Sequence, residues 1–186
     1  MSKYITIKDD RENLDKLYNK INKLNNMKIH IGIFSDTGDK LLMIARVQEY
    51  GVKIEVTDKM RGYLASQGLF LRGDTQYITI PERSYVRSTA IDKLKDIQKN
   101  SKKYLEQIIT TNMKVETFGK LLGNVLADIM KEQMKELKNP KMHPFTIEQK
   151  GSDDPLIGTG ELFNAITYKV VIWWIWEVWL MSSGKM

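Results

Sequence analysis

A glycine-rich stretch near the end of the sequence is the first candidate for chemistry. Residues 151–170 read GSDDPLIGTGELFNAITYKV. A phosphate-binding loop requires G-x-x-x-x-G-K-[ST], because backbone N–H groups and a lysine must meet the phosphate. The residue directly after Gly160 is Glu161 and not a lysine, and Asp153 and Asp154 would repel a phosphate. The dinucleotide pattern G-x-G-x-x-G also fails, since Phe163 occupies the position of its last glycine.

The same stretch is better explained as a folding element. Thr159 is expected to cap the following helix, and Glu161 complements the helix dipole. Pro155, Gly158 and Gly160 are expected to shape a tight loop in front of that helix. Five apolar residues are expected to anchor the helix to the core: Leu156, Ile157, Leu162, Phe163 and Ile166.

Other reactive residue types do not form a recognisable catalytic set. His30 and His143 are far apart, and neither belongs to an HxxxH or HExxH pattern. The carboxylate pairs at 9–10 and 153–154 are adjacent in predicted loops, without a sign of the burial that separates the pKa values of an acid and a base. The chain has no cysteine and no nucleophile-elbow motif. We therefore predict no catalytic residue, no cofactor and no bound metal.

Two further patterns suggest contacts with other molecules. Arg72-Gly73-Asp74 spells an adhesion tripeptide, but these are also common turn residues between the apolar stretches 69–71 and 76–81. The four tryptophans lie together at Trp173, Trp174, Trp176 and Trp179. In a strand they would make both faces apolar, which suits either a strand buried in its own core or a subunit interface. A membrane-surface role ranks third, because no cationic face alternates with them.

Composition limits the class of protein. The chain has 186 residues, of which 42% are hydrophobic and 28% charged, with a net charge of +6. This permits an anionic partner, although the lysines are spread over helix faces. No stretch approaches the length of a membrane-spanning helix, and the N-terminus lacks a secretion signal pattern.

Periodicity predicts the elements that position these residues. Apolar spacing and turn residues indicate strands at 3–7, 27–34 and 53–57, helices at 11–24, 41–50 and 58–68, and a hairpin over 69–81 that Pro81 ends. Two long helices follow, one from Ser84 and one over about 115–137, then a loop, a short helix at about 160–166 and a strand from Thr167. The fold class is therefore α+β, with a mainly antiparallel sheet packed against two long helices and a protruding β-hairpin.

Three segments resemble one family. PLIGTGELFNAITYKV is similar to the C-terminal signature of bacteriophage tail-completion proteins, the head–tail joining or minor tail components of the neck. IPERSYVRST (80–89) resembles a second segment of that family. LLMIARVQEYG (41–51), after the strand KIHIGIF, resembles a third. The segments keep the family's order over about residues 27–170.

The resemblance implies a structural virion protein and not an enzyme. Such proteins form rings, typically hexameric, that terminate the tail tube and join it to the head connector, with DNA only as passing cargo in the lumen. The implied partners are copies of the chain, the tail tube protein, neck proteins and, in a contractile tail, the sheath protein; no membrane is involved. The location is the neck of the virion, or the host cytoplasm during assembly.

Residue roles follow from the resemblance. Arg72 and Asp74, at the hairpin tip, are expected to reach a neighbouring subunit or the tail tube. Arg83 and Arg87, four apart, either bind acidic groups of an adjacent subunit or form a solvated pair. Pro81, like Pro155, sets the geometry of the chain before a helix. Residues 1–171 form the family-like domain, and 172–186 a Trp-rich extension that the family pattern does not contain.

Three alternatives stay open. The chain could be a head-closure protein or another neck component. It could be a basic nucleic-acid-binding protein, although its aromatic residues and lysines lie mostly in different segments. It could also be an unrecognised hydrolase, which would need a pocket with perturbed titratable groups.

Overall fold

The computed structural model describes residues 11–172, so the strand expected at 3–7 and the four tryptophans lie outside the described residues. The helices are α1 (Arg11–Asn25), α2 (Asp39–Tyr50), α3 (Asp58–Ser66), α4 (Tyr85–Asp92), α5 (Leu94–Thr110), α6 (Val115–Glu136), α7 (Pro144–Lys150) and α8 (Glu161–Asn164). The strands are β1 (Met27–Gly32), β2 (Val52–Glu55), β3 (Tyr77–Ile80) and β4 (Thr167–Ile172), with a 3-10 turn at Ser35–Thr37. The predicted α+β class is confirmed.

The described strands form two antiparallel ribbons and not one sheet. In the long ribbon, β1 pairs with β4, and Met27 lies opposite Ile172 while Gly32 lies opposite Thr167. In the short ribbon, β2 pairs with β3, and Val52 lies opposite Ile80. The predicted antiparallel pairing is present, but the strands form two separate ribbons instead of one sheet.

The predicted hairpin over 69–81 is wrong in its pairing. Residues 69–71 are not a strand. Strand β3 pairs instead with β2, which precedes α3 in the sequence. Residues 72–75 form the expected turn, in which the Thr75 N–H donates to the Arg72 carbonyl at 3.0 Å. Helix α3, the loop 67–76 and the short ribbon are hydrogen-bonded to one another, and we call this unit the arm.

The structure also differs from the prediction of two long helices. The helix expected from Ser84 is interrupted at Lys93 and forms α4 and α5, whereas α6 is continuous. The loop expected after residue 139 contains α7, which the sequence analysis did not predict. Pro144 stands in the first turn of α7, where the missing N–H costs nothing, and Nδ1 of His143 accepts from the Phe145 N–H at 3.3 Å.

Helix α6 organises the core. The main core contains Ala45, Tyr85, Ala127, Met130, Met134, Leu156, Leu162 and Ile166. A second cluster, nearer the start of α6, contains Ile108, Val115, Phe118 and Leu122. The expected anchoring by Leu156, Leu162 and Ile166 is confirmed, since all three are buried.

Two glycines allow the long ribbon to lie directly against α6. A Cβ at Gly119 would lie 2.8 Å from Cγ1 of Val170, and a Cβ at Gly123 would overlap the ring of Tyr168. Real Cβ atoms do not approach neighbours so closely, so this helix–strand distance requires glycine at both positions.

We therefore expect Gly123→Ala to destabilise the protein. Alanine favours a helix, but the overlap with Tyr168 forces a shift in a packed interface, at a net cost of about 1–3 kcal/mol in the free energy of unfolding. The control is Gly62→Ala in α3, where an added Cβ meets nothing within 4 Å. That substitution should stabilise by about 0.5–1 kcal/mol. Urea denaturation measures both; equal effects would contradict the packing role of Gly123.

Candidate functional site

The fold brings the three segments of the sequence resemblance together. The main core takes Ala45 from the first segment and Tyr85 from the second. It takes Leu156, Leu162 and Ile166 from the third. Segments more than a hundred residues apart in the chain thus form one packed unit, which we call the motif junction.

Glu49 is the polar centre of the motif junction. Its side chain is only 7% exposed. One carboxylate oxygen accepts from the Val86 N–H at 2.9 Å, and the other accepts from the Arg87 N–H at 3.1 Å and from Arg87 Nε at 3.0 Å. The first turn of α4 has N–H groups without helical partners and a positive dipole end, both of which favour a carboxylate. Glu49 therefore fixes the end of α2 to the start of α4.

Gly51 and Gln48 complete the connection between the first and second segments. Gly51 has φ +68°, and a Cβ there would lie 2.9 Å from both Ile80 O and Glu82 N. The Arg83 N–H donates to the Gln48 carbonyl at 2.7 Å. Gly51 is thus needed both for its positive φ and because the backbone of the second segment lies so close to it.

Arg87 finds its acidic partners in its own chain. Besides Glu49 Oε1, its guanidinium donates to the Glu49 carbonyl at 2.7 Å and to Glu82 Oε1 at 2.8 Å, and it lies over the Tyr50 ring. The hydrogen bond to Glu49, with the charge of Glu82 as a further cause, raises the pKa of Arg87 above its ordinary value. Arg87 therefore has acidic partners within its own chain, while a contact with a neighbouring subunit stays a prediction.

Arg83 lies in a different environment although it is four residues away. The residue is 5% exposed and precedes α4 instead of belonging to it. Its Nε donates to the Pro140 carbonyl at 2.9 Å, and Nη1 lies 3.5 Å from Gln48 Oε1. No carboxylate among the described residues pairs with it, and burial lowers its pKa. The expectation of a solvated Arg83–Arg87 pair is thus wrong.

The third segment is held by a lysine that the sequence analysis did not single out. Lys150 Nζ donates to the Asp154 carbonyl at 2.7 Å and to the Pro155 carbonyl at 3.0 Å. A Cβ at Gly158 would overlap the Lys150 side chain. Pro155 is buried, so the turn shape expected of Pro155 and Gly158 is supported by these contacts.

The cap of α8 differs by one residue from the prediction. Gly160, with φ +79°, is the N-cap, and Thr159 Oγ1 only accepts from the Glu161 N–H at 3.4 Å. Left-handed backbone at this position suits glycine and not threonine. The expectation for Thr159 is corrected, and the expectation of a tight loop through Gly160 is confirmed.

The arm tip is held by a second residue that sequence reasoning missed. Arg61 of α3 donates to the Arg72 carbonyl from Nη1 at 2.9 Å and to the Thr75 carbonyl from Nη2 at 2.9 Å. Arg72 and Asp74 themselves are exposed, and their charged groups lie 3.5 Å apart. The RGD tripeptide is thus presented on a turn that Arg61 fixes from behind.

The remaining candidates offer little chemistry in residues 11–172. His30 and His143 are both exposed. The described residues contain no group of three or more histidine or acidic residues that could hold a metal ion. Over the same range, no helix is long and apolar enough to cross a membrane. Burial, with the charge of Glu49 as a second cause, raises the pKa of Tyr85, which keeps the phenol neutral in the core.

Comparison with known proteins found no match for this chain. The chain matches no protein-family model, and no curated protein or solved structure is similar enough to count as a match.

We expect Glu49→Gln to lower the free energy of unfolding by about 2 kcal/mol. The amide has one acceptor oxygen for three donors, and its NH₂ group would face N–H groups that also donate. The matched control is Glu82→Gln, which removes the exposed partner of the same arginine. Its cost should stay below about 1 kcal/mol, because the Glu82 side chain is 50% exposed. Thermal and urea unfolding compare the two; similar losses would show that Glu49 is not the centre of the motif junction.

We also expect Arg61→Ala to release the arm tip without unfolding the domain. Loss of the bonds to the Arg72 and Thr75 carbonyls should raise the rate of tryptic cleavage after Arg72 by about tenfold, as local opening becomes easier. Lys59→Ala, an exposed neighbour on α3, is the control and should leave the rate unchanged. An unchanged rate in Arg61→Ala would mean that the loop holds its shape by itself.

Proposed function

We propose that this protein is a structural component of a bacteriophage neck, in which copies of the chain form a ring that terminates the tail tube and joins it to the head connector. The observation that carries the proposal is the motif junction. The three segments that resemble tail-completion proteins pack against one another through Glu49, Tyr85 and Leu156. Each segment resembles the same family on its own, and the three segments also pack together. This agreement supports a shared fold more strongly than the separate resemblances do.

Exposed apolar surface supports assembly with other subunits. Helix α1 carries a stripe of large apolar side chains that are 39–66% exposed: Leu14, Leu17, Tyr18 and Ile21. The arm adds three exposed rings: Tyr63, Phe70 and Tyr77. Aromatic and apolar residues grouped on a surface are typical of protein–protein interfaces.

The described residues also favour a structural role over catalysis. Charged groups near the motif junction hold segments together: the buried Glu49 connects α2 and α4, and the half-buried Lys150 binds the loop before α8. The finer assignments follow from the resemblance: a hexameric ring, contacts with tail tube, head connector and sheath, and a place at the neck of the virion. A head-closure protein with the same fold is the alternative within this class.

The test is the mass of the purified protein by light scattering, with negative-stain images of the same peak. A ring of the size expected from the resemblance has about six subunits of 21.6 kDa each. Tyr18→Asp, on the α1 stripe, should reduce the mass to that of the monomer with an unchanged circular dichroism spectrum. Asn19→Asp, its polar neighbour, should leave the ring intact.

A different outcome would favour the other class of protein. A monomer that binds DNA with an affinity that falls steeply with salt would support the basic nucleic-acid-binding protein instead. A ring that persists in Tyr18→Asp would keep the proposed function and remove α1 from the interface.

A further inference from the structure

The arm and the segment around α7 together line a cleft. Its volume is about 670 Å³. Its walls contain six half-buried apolar side chains: Leu69, Leu71, Ile78, Ile80, Met142 and Phe145. The first four belong to the arm, and the last two lie at or just before α7. A cleft of this size and character suits several apolar side chains of a bound molecule.

Strand β3 brings a free backbone edge to this cleft. The Val56 N–H donates to the Gln76 carbonyl at 2.8 Å, and hydrogen-bonded pairs alternate along an antiparallel ladder. Ile78 and Ile80 therefore direct their backbone groups towards β2, whereas the N–H and C=O of Thr79 point away from it. Neither group of Thr79 has a partner among residues 11–172, and Thr79 lines the cleft. An unpaired edge of this kind is a template for a further strand.

The ionisable side chains of the described residues that line the cleft are all basic: Arg83, Lys141, His143 and Lys150. Two acidic residues close to them in sequence already have partners, since Glu82 binds Arg87, and Asp154 pairs with Lys138 at 2.8 Å. Neither of these two carboxylates lines the cleft. The charge of the cleft is therefore complementary to an acidic partner.

Arg83 is the least exposed of these basic residues. Its Nε and Nη1 have only neutral partners, the Pro140 carbonyl and the Gln48 amide. Its Nη2 has no hydrogen-bond partner among the described residues, and the atom is not sealed from solvent. A buried guanidinium without a carboxylate is costly, and an incoming carboxylate would offset part of that cost through a charge-assisted hydrogen bond.

One extended segment can reach both the free edge and the guanidinium. Thr79 and Arg83 are four residues apart, so their Cα atoms are at most about 14 Å from each other. About five residues of extended chain span that distance. In a strand added beside β3, every second side chain lies on the face of the ribbon that carries Ile78 and Ile80. A small carboxylate, in contrast, would pair with Arg83 and leave the edge at Thr79 unused.

We propose that this cleft binds an extended segment of a partner protein, which adds as a strand to the free edge of β3 and pairs an acidic side chain with Arg83. The segment has apolar side chains at alternate positions, and these pack against Ile78 and Phe145. The inference goes beyond the proposed ring and does not depend on it, because one chain supplies every described residue that lines the cleft.

Two pools of synthetic peptides test the proposal on the full-length protein. Each peptide is an acetylated and amidated heptamer in which Val, Ile, Leu or Phe alternates with Thr. One pool has Glu at an end position, and the matched pool has Gln there. In calorimetry we expect the Glu pool to bind about 30-fold more tightly, because the amide leaves Arg83 without a carboxylate. Equal affinities would overturn the pairing, and no binding of either pool would overturn the whole proposal.

A substitution on β3 tests the strand addition. Thr79→Pro removes the free N–H without removing a bond to β2, so the circular dichroism spectrum should not change. Binding of the Glu pool should weaken by about tenfold or more, because the added strand loses a backbone donor and meets the proline ring. Thr79→Ala is the matched control and should bind like the natural protein. Unchanged binding by Thr79→Pro would contradict the strand addition.

A charge substitution tests the guanidinium. Arg83→Gln should remove the preference for the Glu pool, whereas Lys141→Gln, an exposed basic residue of the same cleft, should keep most of it. A preference that persists in Arg83→Gln would assign the carboxylate to another residue. If Arg83→Gln does not fold, the two pools measured on the natural protein still decide the pairing.

Octanoate separates a protein segment from a small apolar carboxylate. It can pair with Arg83 and fill apolar space, but it cannot bond to the backbone of Thr79. We therefore expect it to displace the Glu pool only at concentrations far above those of the peptides. Displacement at equal concentration would overturn the proposal of a protein segment and assign the cleft to a small ligand.

Discussion

The buried carboxylate of Glu49 is the constraint on which the motif junction depends. A carboxylate with so little exposure needs donors, since water cannot reach it freely. The start of α4 supplies two backbone N–H groups and Arg87 supplies a third donor. Meeting that need sets the spacing between α2 and α4, and the same spacing places Tyr85 in the main core beside the apolar residues of the third segment.

Much of the secondary structure could be predicted from the sequence because its signals are local. The alternation over Met27–Gly32 and the helical spacing of α1 and α6 correspond to elements of the structure. The errors fall where the outcome depends on distant residues. The partner of β3 is β2 and not residues 69–71, and Arg61 of α3 instead binds carbonyls of the loop that follows those residues. Residues 139–144 contain two prolines, which favour a loop, whereas the cap by His143 lets Pro144 begin a helix.

The candidate site was predictable only in part. Arg83 and Arg87 look equivalent in sequence, four residues apart beside Glu82. The structure separates them, because a carbonyl 57 residues away binds Arg83 while Glu49 and Glu82 bind Arg87. Glu49 lay in a segment that the sequence analysis quoted, but no spacing rule connects it to backbone N–H groups 37 residues later. Contacts of this kind appear only when the fold is known.

The motif segments direct their side chains mainly into the chain itself. Tyr85 and Leu156 fill the main core, while Glu49 accepts from backbone N–H groups and Lys150 donates to backbone carbonyls. The side chains that carry the resemblance are thus mainly occupied by contacts within the chain. The resemblance therefore bears on the fold more than on the choice of a partner. Outside the three segments, two surfaces of the described residues stay exposed: the apolar stripe of α1 and the arm tip beyond Arg61.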